Sequence, residues 1–443
     1  MSQNLKVFIW SISAALGGFL FGFDTAVISG VEQTLQKLWN LSVFEHGFTV
    51  SIALIGTVLG SILGGIPAEK YGRKISLLFI AILYLISALG SAYANDWTTF
   101  LVFRLLGGFG VGVSSVVAPM YISEIAPPSK RGRLVALFQF NIVFGILMAY
   151  LSNYLLGEMG DNSWRLMLGV QAVPSVIFIL TTLGIPESPR WLILKRGKVE
   201  EARKILQTID ASEADKVVDN IQKNSHASSQ SNFINLFQSI YKRPVTLAIL
   251  FAVFNQVSGI NAIIYYAPRI FEMAGLGKDS ALLSSAGIGF INLISTLLGL
   301  ALIDKFGRRN LMLVGSFGLI FALTLVAHAF YTNDLGGMNV PIYLFLFIGF
   351  FGFSQGAVIW VFISEIFPNE VRAYGQALGS FTHWIMAVVI SFSFPYISAT
   401  FGGGLTFAFF ALMMVLQLLF AWKMMPETKG TSLEESEGIV FVH

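Results

Sequence analysis

Long apolar runs separated by short polar loops make up most of the chain. Twelve of them are long enough to cross a bilayer as helices, which takes about 20 apolar residues each. They lie at 7–30, 47–67, 75–94, 98–122, 133–156, 164–184, 245–270, 281–303, 311–331, 340–363, 374–397 and 404–425. The first run lacks a small-residue cleavage site, so we expect it to be a transmembrane helix and not a signal peptide.

Two short motifs occur twice, at nearly the same offset. The sequence from Glu69 to Lys74 is echoed at 304–309, and the sequence from Ser123 to Pro127 is echoed at 364–368. The pattern predicts an all-α membrane protein with twelve transmembrane helices in two pseudo-symmetric six-helix halves, with a substrate between them. We expect the halves at 1–185 and 244–426, a linker at 186–243 and a tail at 427–443.

The linker is the only sizeable polar stretch between runs. Its part at 199–221 carries apolar residues at helical spacing among charges, which predicts short amphipathic helices. The Ser-rich part at 225–231, which contains His226, predicts a flexible segment.

Composition and charge narrow the class. Of 443 residues, 55% are hydrophobic and 12% are charged, which excludes a soluble globular protein. Cysteine is absent, which excludes disulfides and thiolate chemistry. The formal net charge is +3, and the Lys and Arg residues lie in short loops between apolar runs. No nucleic-acid partner is therefore expected. Lys and Arg residues are more frequent in the loops on one side of the predicted spans than in the loops on the other side, which predicts that both termini are cytoplasmic. We expect a monomer in a lipid bilayer, as a multi-pass protein of a bacterial inner membrane.

The stretch from Phe254 to Pro268 carries three amides, Asn255, Gln256 and Asn261, within an apolar run. Amides offer donors and acceptors that suit the hydroxyls of a neutral sugar. On an unbroken helix Gln256 and Asn261 would point about 140° apart, so a shared site requires a break. We expect it at 258–259, and a second one at Pro268. The alternative is an amide set that joins helices.

Two isolated charges lie inside apolar runs, Asp24 in the first and Arg104 in the fourth. A carboxylate there costs about 2.5–3.5 kcal/mol, so it is paired or reversibly protonated. We predict that the two residues pair. If they separate, the desolvated carboxylate takes up a proton, which would couple protonation to movement. The alternative is a static ion pair.

Charged residues at helix ends recur in both halves. We hypothesise that they form salt-bridge networks that hold the halves together in one conformation and part in the other. The predicted sets are Glu124 with Arg73 and Arg131, and Glu365 with Arg308 and Arg372. The alternative, that these charges only orient the protein, accounts for the basic residues but not for the two glutamates.

No catalytic or cofactor motif stands out. The glycine-rich sequence at 107–112 lies inside an apolar run without a preceding strand, so it indicates close helix packing and not a nucleotide loop. The five histidines are scattered, and no metal site is predicted. We therefore expect neither an enzyme nor a cofactor.

Over essentially its whole length the chain resembles sugar porters of the major facilitator superfamily. The residues that carry the resemblance are at 72–74 and 307–309, at 186–192 (Pro-Glu-Ser-Pro-Arg-Trp-Leu), at 256–268, and at 426–430 with 432–435. Among the members of this family, the chain resembles bacterial proton-coupled xylose and glucose symporters and animal glucose facilitators. The resemblance to this family implies a major facilitator fold.

The resemblance also implies a sugar site. Sugar-contacting amides fall on Gln139, Asn255, Gln256, Asn261 and Asn292, and aromatic contacts fall on Trp360 and Trp384. This chain departs from the family where Asn255 replaces a Gln and where the usual prolines before Trp360 are missing, which leaves Gly356. It also departs where His383, the eighth predicted residue of the sugar site, replaces an amide.

Proton-coupled members carry an acid and an arginine at the positions of Asp24 and Arg104. The resemblance therefore implies a proton-coupled symporter of a hexose or pentose, working by alternating access. Two alternatives stay open: an uncoupled sugar uniporter, and a non-transporting sugar sensor on the same scaffold.

Overall fold

A computed structural model describes residues 3–127, 130–224, 236–368 and 371–429, and within these ranges the chain is helical and has no strands. The predicted flexible segment at 225–231, with His226, and the motif at 432–435 lie outside the described residues.

The helices up to the linker follow the predicted apolar runs, with short helices between some of them. A 3₁₀ turn (Ile28–Gly30) ends the first span. The helices are α1 (Gln3–Val27), α2 (Glu32–Leu38), α3 (Val43–Leu63), α4 (Gly65–Tyr71), α5 (Arg73–Tyr93), α6 (Trp97–Ile125), α7 (Arg131–Leu156), α8 (Ser163–Gly169) and α9 (Ala172–Leu183).

The described part of the linker contains the short helices α10 (Pro189–Arg196), α11 (Val199–Ile209) and α12 (Ala214–Asn224). Their apolar faces bury a small core that includes Trp191 and Leu206. Two of these helices, α11 and α12, cover the part at 199–221 for which the sequence predicted amphipathic helices.

The remaining helices repeat the pattern of long spans and contain more irregular turns. A 3₁₀ turn (Ser239–Tyr241) precedes α13, and a π-helical turn (Gly352–Gly356) separates α17 from α18. The helices are α13 (Lys242–Val257), α14 (Ile260–Met273), α15 (Lys278–Phe306), α16 (Arg308–Thr332), α17 (Asn339–Phe351), α18 (Ala357–Glu365) and α19 (Arg372–Lys423).

In the described part of the chain, 11 helical stretches are long and apolar enough to cross a membrane. The last of them, α19, has 52 residues and is interrupted at Gly402, whose φ is 76°. This point lies between the predicted runs at 374–397 and 404–425, so α19 contains two spans. All twelve predicted runs thus correspond to helical spans.

The spans expose apolar side chains along one face. On α5, Phe79, Ile82, Ile86 and Leu89 are each at least 40% exposed although all are large and hydrophobic. Their spacing of three and four residues places them on one side of the helix. Such a stripe is typical of a helix that faces lipid.

By packing, the chain divides into two compact units. The first comprises Met1–Thr25, Ile52–Ala149 and Asp161–Gln230, and the second comprises Ala26–Ser51, Tyr150–Gly160 and Ser231–His443. Each unit has its own apolar core, with Tyr84 and Phe178 in the first and Phe251 and Phe362 in the second. Because the divisions fall inside α1, α3 and α7, the packing units differ from the sequence halves, whose boundaries stay a prediction.

Candidate functional site

The helix that carries the three amides is broken where the sequence predicted. α13 ends at Val257, and Gly259 has a φ of 86°, in the left-handed region that favours glycine. A Cβ at this position would also lie 2.6 Å from the ring of Phe410. α14 contains a second irregularity at Tyr266, with φ −121° and ψ 20°, two residues before Pro268.

The break turns the amides toward one another. Asn261 Nδ2 donates to Gln256 Oε1 at 2.7 Å, and Gln256 Nε2 donates to Asn255 Oδ1 at 2.9 Å. Asn255 and Gln256 are buried, whereas Asn261 is half-buried. The three side chains form one hydrogen-bonded row on the second packing unit.

His383 connects this row to two tryptophans. Gln256 Nε2 lies 3.3 Å from both ring nitrogens of His383. The centroid of the His383 ring is 4.9 Å from that of Trp360 and 4.8 Å from that of Trp384. Trp384 is buried, but Trp360 is 36% exposed. Polar amides and apolar ring faces thus meet around one imidazole.

Two predicted sugar-binding residues lie outside this contact network. Asn292 on α15 accepts a long bond of 3.5 Å from Thr296 of its own helix. Gln139 on α7 belongs to the first packing unit and is half-buried. Six of the eight predicted residues are therefore joined by direct contacts.

The sequence analysis missed a further amide pair beside the π-helical turn. Gln355 Nε2 donates to Gln417 Oε1 at 2.8 Å, and both side chains are fully buried. The available signal was two glutamines within apolar runs. The pair links the turn before Trp360 to the second part of α19.

Asp24 and Arg104 form the predicted ion pair within the first packing unit. Arg104 NH1 donates to Asp24 Oδ1 at 2.6 Å, and NH2 donates to the Asp24 backbone carbonyl at 3.2 Å. Both side chains are 2% exposed. The Ser87 hydroxyl is buried and has no hydrogen-bond partner among the described residues.

The repeated motifs build two clusters of the same design. In the first-half cluster, Arg73 NH2 donates to Glu124 Oε1 at 3.0 Å and to Glu69 Oε1 at 3.4 Å. Glu187 accepts the backbone N–H groups of Arg73 at 2.9 Å and of Lys74. The members are Glu69, Arg73, Glu124, Glu187 and Ser188.

The second-half cluster repeats these bonds. Arg308 donates to Glu365 through Nε at 3.0 Å and NH2 at 2.7 Å, and to Asp304 through NH1 at 3.0 Å. Glu427 accepts the backbone N–H of Arg308 at 2.9 Å. The members are Asp304, Arg308, Glu365, Glu427 and Thr428.

Two carboxyl groups of the first-half cluster, both outside the spans, have shifted pKa values. Burial raises the pKa of Glu187, against the effect of the backbone N–H groups that it accepts. Burial also acts to raise the pKa of Glu69, but its bonds with Lys195 and Arg73 outweigh burial and hold the pKa below its usual value.

The other two predicted members of the salt-bridge networks are arginines that begin helices. Arg131 begins α7 and is exposed, and no ion pair joins it to Glu124 in the described ranges. Arg372 Nε donates to the backbone carbonyl of Phe367 at 3.0 Å. Within the networks the two glutamates thus contact Arg73 and Arg308.

Known proteins resemble this chain along nearly its full length. A family described as "Sugar (and other) transporter" matches residues 10–439. The D-xylose-proton symporter of Escherichia coli (strain K12) is 36% identical, with 99% of this chain and 97% of that protein covered. The arabinose-proton symporter of Bacillus subtilis (strain 168) is 38% identical, with 97% and 94% covered. The glucose transporter GlcP of Staphylococcus epidermidis is 38% identical, with 96% and 95% covered.

Solved structures agree with these sequence relatives. The inward open conformation of the xylose transporter XylE from E. coli matches with a TM-score of 0.87 at 34% identity, covering 98% of this chain and 99% of that one. XylE bound to 6-bromo-6-deoxy-D-glucose, described as a major facilitator superfamily proton:xylose symporter, matches with a TM-score of 0.82 at 35% identity, covering 98% and 99%.

Proposed function

Because the chain belongs to the sugar (and other) transporter family, we propose that it carries a monosaccharide together with a proton by alternating access. The observation that carries this proposal is the bond between Asp24 and Arg104, two charges that are 2% exposed within one packing unit. Its three relatives named above are described as carriers of xylose, arabinose and glucose, and two of those descriptions name the proton.

The amides and tryptophans are proposed to hold the sugar. Amide groups exchange hydrogen bonds with neutral hydroxyls, and a tryptophan face packs against the apolar face of a pyranose. Gln256 already bonds Asn255, Asn261 and His383, so a sugar hydroxyl would replace one of these internal bonds. The proposed site residues are Gln139, Asn255, Gln256, Asn261, Asn292, Trp360, His383 and Trp384.

Asp24 is proposed to carry the proton. While Arg104 contacts it, the carboxylate is compensated and stays charged. When transport separates the pair, the carboxylate is left in a dry interior without a counter-charge and takes up a proton. The neutral acid then lets the loaded carrier change its access. Release of the proton on the other side restores the bond with Arg104.

Replacing Asp24 by asparagine should abolish uphill sugar accumulation and leave sugar exchange intact, because the amide cannot bind or release a proton. The measurement compares vesicles with and without a pH gradient, using labelled D-xylose, L-arabinose and D-glucose. Asp161→Asn makes the same chemical change at an exposed acid and should behave as wild type.

The same panel separates the alternatives. Accumulation that survives in Asp24→Asn would exclude Asp24 as the proton carrier. Wild-type exchange without accumulation in any gradient would indicate a uniporter, and binding without exchange would indicate a sensor. The sugar with the highest rate identifies the substrate.

The two charge clusters are proposed to act as latches at one end of the spans. We propose that this end and both termini are cytoplasmic, because the Lys and Arg residues of the loops are concentrated there. We also propose a monomer in the inner membrane of a bacterium, with functional halves at 1–185 and 244–426 joined by the linker at 186–243 and followed by the tail at 427–443. Removing Glu365 should then shift the balance between inward and outward access.

A further inference from the structure

A buried carboxylate, Glu32, lies apart from both the sugar site and the Asp24 pair. It begins α2 in the second packing unit and is 0% exposed. Its Oε2 lies 2.5 Å from Nε2 of His46 on α3, which is also 0% exposed. Arg269 on α14 donates to Glu32 Oε1 at 2.9 Å and to Oε2 at 2.8 Å. A third bond of 2.6 Å joins Arg269 to Gln36 Oε1.

The proton count of this cluster is constrained by its geometry. At 2.5 Å, the nitrogen of His46 and the oxygen of Glu32 must share one hydrogen. The other ring nitrogen, Nδ1, is buried and has no hydrogen-bond partner among the described residues. Nδ1 is therefore the position at which a second proton would make His46 an imidazolium.

Arg269 opposes that second proton. The guanidinium and the imidazole both contact the same oxygen, Glu32 Oε2, so a protonated His46 would add a second cation beside Arg269. Like charges at such a separation repel strongly in a dry interior. If Arg269 withdraws, Glu32 becomes an uncompensated buried charge unless His46 is protonated.

The position of Arg269 allows it to withdraw. It follows the irregularity at Tyr266 and Pro268, in the last part of α14. Its side chain is 23% exposed, whereas that of Glu32 is fully buried, so the guanidinium lies on the accessible side of the cluster. Proline removes one backbone hydrogen bond at this point, which weakens the coupling between the two parts of the helix.

Other titratable groups lie on the helices around Glu32, His46 and Arg269. The Tyr266 ring meets His46 edge-on, with centroids 5.9 Å apart, and its hydroxyl donates to the Ser391 carbonyl on α19. Glu45 turns away to Ser42, at 2.7 Å from its hydroxyl. The remaining charged or titratable residues on α2 and α14, and the one from α7 that contacts α14, are Lys37, Glu272, Tyr265 and Tyr150.

We propose that Glu32, His46 and Arg269 form a second proton-binding site, in which a proton on His46 replaces the Arg269 guanidinium as the counter-charge of Glu32. Proton uptake is then linked to release of the last part of α14. The binding rests on the geometry of the cluster alone, and only its consequence for transport rests on the proposed function.

The experiment observes the histidine directly. The protein has five histidines, so ¹⁵N-histidine labelling in lipid gives few ring signals, and His46→Gln identifies the signal of His46. In Arg269→Gln the imidazolium signal of His46 should appear at a pH at least one unit higher than in wild type. Arg269→Lys, which keeps the charge, should give a smaller shift. His328, which lies on α16 away from the cluster residues in sequence, serves as the internal reference.

Glu32→Gln provides a second test. In this variant the imidazolium signal of His46 should appear at a lower pH than in wild type, because the carboxylate that stabilises the cation is gone. An unchanged transition of His46 in Arg269→Gln, or in Glu32→Gln if the first variant does not fold, overturns the proposal. No sugar is needed in this measurement, so its failure is distinct from a failure of symport, which is read from Asp24→Asn.

Discussion

The first-half and second-half clusters pair the same kinds of residue but differ in exposure and in the number of bonds between arginine and glutamate. In each, an arginine at the start of a span bonds an acid four residues earlier and a glutamate from another span. Glu124 is 9% exposed and receives one bond from Arg73, whereas Glu365 is 21% exposed and receives two from Arg308. The first-half cluster depends more on burial of the ion pair, and the second-half cluster depends more on the two bonds that one guanidinium makes to Glu365.

The comparison also assigns a role to the two Pro-Glu motifs. Glu187 lies 114 positions after Arg73, and Glu427 lies 119 positions after Arg308, yet each accepts the first N–H groups of the corresponding helix. The glycine before each arginine has a positive φ, and a Cβ there would collide with the glutamate. A distant carboxylate therefore caps α5 and α16, where helix N–H groups otherwise lack partners.

The largest contrast is expected on removing the glutamates that pair with the arginines. Glu124→Ala should lower the free energy of unfolding by about 3–5 kcal/mol, because it leaves the buried Arg73 without its main partner. Glu365→Ala should lower it less, because Glu365 is more exposed than Glu124 and because the bond that Arg308 keeps to Asp304 (3.0 Å) is shorter than the one that Arg73 keeps to Glu69 (3.4 Å). Thermal unfolding in detergent measures the difference.

Access to the two sides is measured on the same variants. The chain has no cysteine, so single introduced cysteines report accessibility without background labelling. If the two clusters act as the proposed latches, both variants should label faster from the proposed cytoplasmic side. If Glu365→Ala left labelling unchanged while lowering stability, the cluster would be structural and not a latch.

A smaller contrast is expected for the hydroxyls that support these glutamates. Ser188 donates to Glu124 and also accepts the N–H of Trp191 at the start of α10, whereas Thr428 Oγ1 donates to Glu365 at 2.6 Å. Ser188→Ala should therefore destabilise by about 1.5–3 kcal/mol, the range for bonds to charged groups. Thr428→Val, which keeps the shape, should destabilise less in the same unfolding measurement, and the reverse order would contradict the comparison.

The smallest effects are expected at the capping glutamates, and they depend on pH. Glu427→Gln should lower the free energy of unfolding by about 0.5–2 kcal/mol, the range for a lost cap. Burial raises the pKa of Glu187 above its ordinary value of 4.5. The advantage of the wild type over Glu187→Gln is therefore largest below pH 4.5 and decreases as the pH rises through the raised pKa. Melting curves at several pH values test this, and an advantage that grew with pH would contradict it.

Much of this arrangement could be predicted from the sequence. Apolar length and period gave all twelve spans, and the family resemblance, major facilitator fold and assignment as a transporter are confirmed by the relatives. The pairing of Asp24 with Arg104 was predictable because two isolated charges in apolar runs have few other partners. The break at Gly259 followed from the need to turn Gln256 and Asn261 toward one face.

What could not be predicted depends on contacts between distant segments. Nothing local to Glu32 or His46 indicates that their helices bring them together with Arg269. The capping role of Glu187 requires a contact with a helix that starts more than a hundred residues earlier. The hydrogen bonds among Asn255, Gln256 and Asn261 could not be predicted either, since they depend on the angle between α13 and α14.

The π-helical turn at Gly352–Gly356 holds one residue more than a regular α-helical turn requires. Each residue in a helix advances its direction by about 100°. The surplus residue therefore sets the azimuth at which Trp360 leaves its helix relative to α17. If this stretch became a regular α-helix, the indole of Trp360 would rotate by about a quarter of a turn around the helix axis. The apolar pattern of the span would stay the same.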